Sequence, residues 1–311
     1  MRMTISFAGM VILSVAHGER KHAMRKVLKI AGITFDFHSS LPIDFGKEMQ
    51  LFAAEPENIC DYTCEIILAE LPAMPECEPA CTYANMKRWN TESGCLSFYR
   101  NEMRQWSICR TEAKDKNAFY IQPDHVAEVK DIWNIFSKIE FSSRLLEHGA
   151  VMLHSSYLIY DGQAILFTAA SGVGKSTQAE LWRKTLGAEV INGDRSIIRE
   201  KDGRLWAFGT PYSGTSGICK NVSAPIRAIV TLEQAPENTV RPLTRKECTR
   251  FFLAQTTIQR WKPEDVIGTI ELWDSFIMKV PVLRLACRPD EDAVYTLKNY
   301  LDTLDKEEKP L

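Results

Sequence analysis

Near its middle the chain reads Ala169-Ala-Ser-Gly-Val-Gly-Lys-Ser-Thr177. This departs from the phosphate-binding pattern G-x-x-x-x-G-K-[ST] at its first position, where alanine replaces glycine. The flanking segments supply the context such a loop needs. Val151 to Leu158 runs on through Tyr160, and Gln163-Ala-Ile-Leu-Phe-Thr168 follows after Asp161-Gly162. Two apolar runs joined by Asp-Gly predict a β-hairpin that feeds straight into the loop. After the loop, Gln178-Ala-Glu-Leu-Trp-Arg-Lys-Thr-Leu186 reads as a helix closed by Gly187. Strand, glycine-rich loop and helix in that order point to an α/β (α+β) architecture for this part of the chain.

The loop's chemistry follows from its backbone. N–H groups of residues 172 to 176 would face inward beside a helix N-terminus, which favours negative charge. Ser171, Gly172, Val173, Gly174, Lys175, Ser176 and Thr177 are therefore the candidate nucleotide-binding residues. Lys175 would reach the β- and γ-phosphates of ATP, and the Ser176 hydroxyl would ligate Mg²⁺. Alanine is tolerated at 169 wherever φ there is negative. An acid is also needed. The short run Glu189-Val-Ile-Asn192 ends in Gly193-Asp194, which suits Asp194 to hold the metal or to accept a proton from a substrate hydroxyl. Asn-Gly-Asp is equally a good turn sequence. A rival acid is Glu233, after the apolar run Ala228 to Leu232. The stretch Gly209 to Gly217, rich in glycine and hydroxyls, could close over the site with Lys220 as an added cation.

The remainder sets bounds. The chain has 311 residues, enough for one large domain or two ordinary ones, and a net charge of −2 gives no electrostatic case for nucleic acid or an anionic membrane. Nine cysteines without a regular framework suit a reducing, cytoplasmic setting. Cys60-x₃-Cys64 and Cys77-x₃-Cys81 are loosely spaced for zinc, and a shared strand face explains the first pair as well. Thr4 to Ala16 is too short to span a membrane; a signal peptide would look somewhat like it, and a first strand or hairpin is the preferred reading because Ile5, Phe7, Val11, Ile12 and Val15 are β-formers. The basic stretch Arg20 to Lys29 reads as a helix with a solvated face. Strand candidates follow at Phe35 to Phe37, Met49 to Phe52, Cys60 to Leu68, Cys95 to Tyr99 and Trp106 to Arg110, and Leu71 to Pro79 reads as a loop. A longer helix is expected from Asp124, carrying the stripe Val126, Val129, Ile132, Trp133, Phe136 and Ile139. The expected division is a β-rich domain over 1–145, of unassigned role, and a nucleotide-binding domain over 146–311, ending in a core region and a terminal helix from Glu291 to Leu304.

The run His154, Asp161-Gly162, Ala169 to Ser176 and then a strand ending in Asp194 resembles the catalytic domain of the HPr kinase/phosphorylase family. That family comprises P-loop serine kinases related to phosphoenolpyruvate carboxykinase and includes kinases of lasso-peptide precursors. Ser171 to Ser176 match the family's loop, and positions 169 and 170 do not. The family carries two adjacent aspartates where this chain has Gly193-Asp194. Its later Glu-x-Arg-Gly-x-Gly-Ile-x-Asn-Val segment is only echoed by Gly214 to Val222. The resemblance covers about half the chain, roughly residues 150 to 300. It implies a P-loop kinase domain of the HPr kinase C-terminal type, with Asp194, Lys175 and His154 as catalytic groups and Ser176 and Asp194 as metal ligands. The expected activity is ATP- and Mg²⁺-dependent phosphorylation of a hydroxyl, serine of a peptide, protein or small molecule. The alternatives are an ATPase or nucleotide switch, and a nucleotide-binding scaffold without chemistry. No nucleic-acid or membrane partner is expected, and a homo-oligomer is compatible with the sequence.

Overall fold

The computed structural model describes residues 24–57 and 59–307. The expected strand at Thr4 to Ala16 lies outside the described residues. The chain divides into two units, Met1–Phe141 and Ser142–Leu311, each with its own large mixed sheet.

In the first unit nine strands form one sheet. They are β1 (Met24–Ile30), β2 (Ile33–Ser39), β3 (Ala53–Ala54), β4 (Tyr62–Leu68), β5 (Cys81–Tyr83), β6 (Met86–Asn90), β7 (Gly94–Arg100), β8 (Trp106–Ala113) and β9 (Lys116–Ile121). Their order is β3-β1-β2-β4-β9-β8-β7-β6-β5; β2–β4 and β4–β9 are parallel and the other pairs antiparallel.

Three local expectations are corrected here. Residues 24–29, read as part of a basic helix, belong to β1, because Ala31 and Gly32 at positive φ turn the chain back into β2 and bury Val27, Leu28 and Ile30. Met49 sits in a short helix, α1 (Gly46–Gln50), rather than a strand. The apolar stripe from Asp124 is not one helix. A 3₁₀ segment (Pro123–Val129) is interrupted at His125, and the extended Asp131 starts α2 (Ile132–Phe136) by accepting a hydrogen bond from the Trp133 N–H. The kink at His125 and the aspartate cap at 131 override the helical period. The chain enters the second unit within α3 (Phe141–Glu147).

The second unit is a sheet with helices on both faces. Its strands are β10 (Ala150–Tyr160), β11 (Gln163–Thr168), β12 (Glu189–Asn192), β13 (Arg195–Lys201), β14 (Arg204–Phe208), β15 (Ser223–Gln234), β16 (Thr239–Pro242) and β17 (Val282–Cys287). Its helices are α4 (Lys175–Leu186), α5 (Arg245–Gln255), α6 (Pro263–Phe276) and α7 (Glu291–Glu307). Apolar residues of α4 and α7, among them Trp182, Val294 and Leu297, share one core cluster with β11 and β17. Phe252 of α5 and Trp273 of α6 stack face to face, with ring centroids 3.8 Å apart, in another cluster. Burying each such large side chain contributes roughly 1.5–3 kcal/mol.

Two long strands serve different partners along their length. β10 pairs along one edge with β13 through Ala150–His154 and then with β12 through Tyr157–Ile159, and along its other edge with β11 through Ser155–Tyr160. β15 pairs near its start with β14, and further along, in parallel, with β11 and β17. No helix among the described residues is long and apolar enough to cross a membrane.

Candidate functional site

The sequence-marked residues meet beside the middle of β10, where β11 ends on one edge and β12 turns into β13 on the other. Ser155 lies opposite Thr168, the last residue of β11, so the glycine-rich loop leaves the sheet beside it. The Ser155 N–H donates to the Asp194 carbonyl at 3.0 Å, and the neighbouring His154 is paired with Arg195. Loop, histidine and aspartate therefore converge because residues 154 and 155 of β10 lie between the end of β11 on one edge and the Asp194 turn joining β12 to β13 on the other.

The loop itself explains its sequence. Gly172 and Gly174 hold φ of 81° and 124°, a region that disfavours any side chain, and Gly174 leads directly into α4. Gly187 ends that helix in the left-handed conformation. Ala169 is not among the residues with positive φ, and its methyl is buried in the core beside Phe167 and Trp182. Alanine therefore fits where the usual pattern has glycine. Ser171, Gly172, Ser176 and Thr177 are exposed, Val173 and Gly174 half-buried. Lys175 is buried, and its Nζ donates to the Ala169 and Ala170 carbonyls at 3.0 and 3.3 Å. Burial pushes the Lys175 ammonium below its ordinary pKa, and the Asp194 carboxylate opposes that shift.

Asp194 sits on a built turn. The buried Asn192 side chain accepts from the Asp194 and Arg195 N–H groups, both at 3.0 Å, and donates to the Thr210 carbonyl at 2.8 Å. Asn-Gly-Asp is thus a turn, and the turn presents Asp194 to His154, whose Nε2 lies 3.6 Å from Oδ1. Burial pushes the His154 imidazole below its ordinary value; Lys175 adds to this, while Asp194 and a hydrogen bond with Gln255 oppose it. The other carboxylate oxygen, Oδ2, accepts from Arg195 Nε at 3.2 Å. Arg195 also donates to Thr257 Oγ1 at 2.5 Å and lies 5.3 Å from the Tyr212 ring centroid.

The stretch Gly209 to Gly217 is seated on this turn. A Cβ at Gly214 would fall 2.6 Å from the Asp194 Cβ, and one at Gly193 only 2.0 Å from Ser216 Oγ and 2.6 Å from its Cβ. Gly193 is therefore a packing requirement, and a second carboxylate cannot occupy that position with Ser216 where it is. Two sequence candidates stay out of the cluster. Lys220 pairs with Glu189 at 2.7 Å, and Glu233 is tied to Arg284. Arg195, Gln255, Thr257 and Tyr212 were not singled out in the sequence. Arg195 could have been, as a cation directly after the acid, whereas Gln255 and Thr257 reach the site only through the sheet. Among the described residues no group of three or more His, Cys, Asp or Glu could hold a metal, so the cysteine pairs at 60/64 and 77/81 form no such site. All nine cysteines are free.

No protein-family model matches the chain, and no curated protein matches it. Among solved structures, the chain is similar to the Hpr(Ser) kinase/phosphatase from Coxiella burnetii at 12% identity and a TM-score of 0.29, over 50% of this chain and 95% of that one.

Proposed function

We propose that the second unit is an ATP-dependent kinase domain whose P-loop is Ser171 to Thr177, and that it transfers the γ-phosphoryl group to a hydroxyl, serine of a peptide, protein or small molecule. The observation that carries this reading is the convergence of Lys175, His154 and Asp194 beside residues 154 and 155 of β10, which β11 flanks on one edge and the β12–β13 turn on the other. Loop N–H groups and Lys175 meet the charge on the phosphates; Lys175 would exchange two neutral carbonyl acceptors for anionic oxygens. Asp194, next to an imidazole kept largely neutral near pH 7, accepts the proton of the acceptor hydroxyl. The acceptor oxygen then bonds to the γ-phosphorus as the bridge to the β-phosphate breaks and ADP leaves.

The donor set fits Mg²⁺: the exposed Ser176 hydroxyl and the Asp194 carboxylate are hard oxygen ligands, and Mg²⁺ is ordinarily held by one or two carboxylates together with phosphate oxygens. Bound there, it would neutralise charge on the β- and γ-phosphates. Nine free cysteines suit a reducing, cytoplasmic setting. The pairing of Glu233 with Arg284 counts against Glu233 as the acid of an ATPase.

The test is incubation with γ-labelled ATP, Mg²⁺ and serine-bearing acceptors. Label on an acceptor is expected, and Lys175→Ala is expected to abolish it and to weaken ATP binding strongly. Free phosphate alone would make the chain an ATPase, and near-normal turnover of Lys175→Ala would end the P-loop reading.

A further inference from the structure

The first unit holds an open-mouthed cavity of about 570 Å³, far from any motif in the sequence. Arg100, Asn101, Ser107, Glu128, Asn134 and Lys138 are in its wall. That volume suits a metabolite rather than a bare ion.

Two cations in this wall differ from the other buried cation nearby. Arg110, fully buried on β8, is saturated: it donates to Asn117 Oδ1 at 2.9 Å, to the Lys138 carbonyl at 2.7 Å, to Glu140 at 2.9 Å and to Glu112. Such a group holds the sheet to the chain that follows and has nothing left to offer. Arg100, at the end of β7, is different. Its guanidinium lies 4.2 Å from the Trp106 ring centroid, and its buried Nε has no hydrogen-bond partner among the described residues. No carboxylate among them pairs with it. A buried donor left without an acceptor costs roughly 1–3 kcal/mol, so its retention points to an acceptor that arrives from outside.

Lys138 completes the pair. Its Nζ is bonded to neutral oxygens of Asn134, at 2.7 Å for the carbonyl, and lies 5.5 Å from the Tyr99 ring centroid. Two carboxylates, Glu102 and Glu128, share the wall, and Glu128 is engaged by Asn101 at 2.8 Å and His125 at 3.0 Å. Burial lowers the Lys138 pKa to about 8, with Glu128 opposing.

We propose that this cavity binds a small organic anion, gripped through a carboxylate or phosphate group by Arg100 and Lys138, with Ser107 in the same wall. The first unit would then be a ligand-sensing or substrate-presenting module, whatever chemistry the second unit performs. An arriving oxyanion satisfies the orphaned Arg100 donor and favours the charged form of Lys138. Affinity is accordingly full below about pH 8 and declines as the pH rises through the raised pKa of the bound state. The groups that bear on Lys138 are Tyr99 and Arg100 of β7, Arg110 of β8, Glu102 of the following turn, and His125 and Glu128 of the 3₁₀ segment.

The experiment uses the full chain carrying Lys175→Ala, which on the proposed reading weakens phosphate binding at the glycine-rich loop. Calorimetric titration with inorganic phosphate and, separately, with succinate separates the two kinds of oxyanion. Saturable one-to-one binding of at least one is expected. Arg100→Gln and Lys138→Met should each weaken it about tenfold or more, the loss of one charged hydrogen bond, with folding checked by circular dichroism. Lys138→Arg should keep the affinity level between about pH 7 and 9, where the parent chain loses it. No saturable binding of either anion at high millimolar concentration, or binding that Arg100→Gln leaves unchanged in a folded chain, would overturn the proposal.

Discussion

Asp194 accepts from Arg195 through Oδ2 and faces His154 across 3.6 Å through Oδ1, and its position on a rigid turn makes its role separable from folding. Asp194→Asn keeps the shape and the Asn192 turn bonds, which run to the backbone. Phosphoryl transfer should fall by at least ~10²-fold in this variant, the range for loss of a general base, with a much smaller fall in ATP affinity. Glu233→Gln should be nearly silent, since Glu233 is half exposed and engaged with Arg284. An active Asp194→Asn beside a dead, folded Glu233→Gln would remove the kinase assignment. The pH dependence follows from His154. Its folded pKa is depressed, so its contribution to stability is present above the ordinary imidazole value of about 6.5 and is lost as the pH falls through the folded value. Activity should share that acid limb, because a charged imidazole would draw the Asp194 carboxylate, 3.6 Å away, into an ion pair. Rate profiles for the native chain and His154→Gln check this; an unchanged acid limb in His154→Gln would assign it to another group.

Among the elements, the stretch Gly209 to Gly217 depends on two glycine contacts. Gly193→Ala forces a methyl into Ser216, and should cost about 1–3 kcal/mol, the usual range for overpacking, together with activity. Adding Ser216→Gly removes both clashing atoms and should restore most of each loss, read as melting temperature and transfer rate. Failure of the second change to rescue the first would show that the contact does not position the loop. What the sequence allowed to be read follows the range of the interactions involved. The hairpin β10–β11 was legible because Asp161 and Gly162, both at positive φ, make its turn locally. α4 was legible because Gly174 and Gly187 bound it. The parallel pairing of β11 with β15, and the arrival of Gln255 and Thr257 beside His154 and Arg195, were not legible, since no local pattern encodes which distant strand or helix end becomes a neighbour. The stripe from Asp124 failed for the opposite reason: its periodicity was genuine, but the chain leaves helical geometry at His125 and again at the extended Asp131.

For the whole molecule, both core clusters of the second unit draw only on residues between Val151 and Leu304, as does every residue of the candidate site. A chain of residues 142–311 should therefore unfold cooperatively and bind ATP within about threefold of the full protein, as expected for a unit with its own core. A molten or insoluble product would show that the first unit is needed for folding. Within that unit, Gly193 and Ser216 have a further consequence for how the gene can change. One base change can turn a glycine codon into an aspartate codon, so a second acid beside Asp194 is always one mutation away. With Ser216 present that mutation has no room, and alanine at 216 would still leave the nearer carbon in the way. The route opens without displacing the chain at 216 only once that position is glycine, so an acid at 193 is expected to follow glycine at 216 rather than precede it.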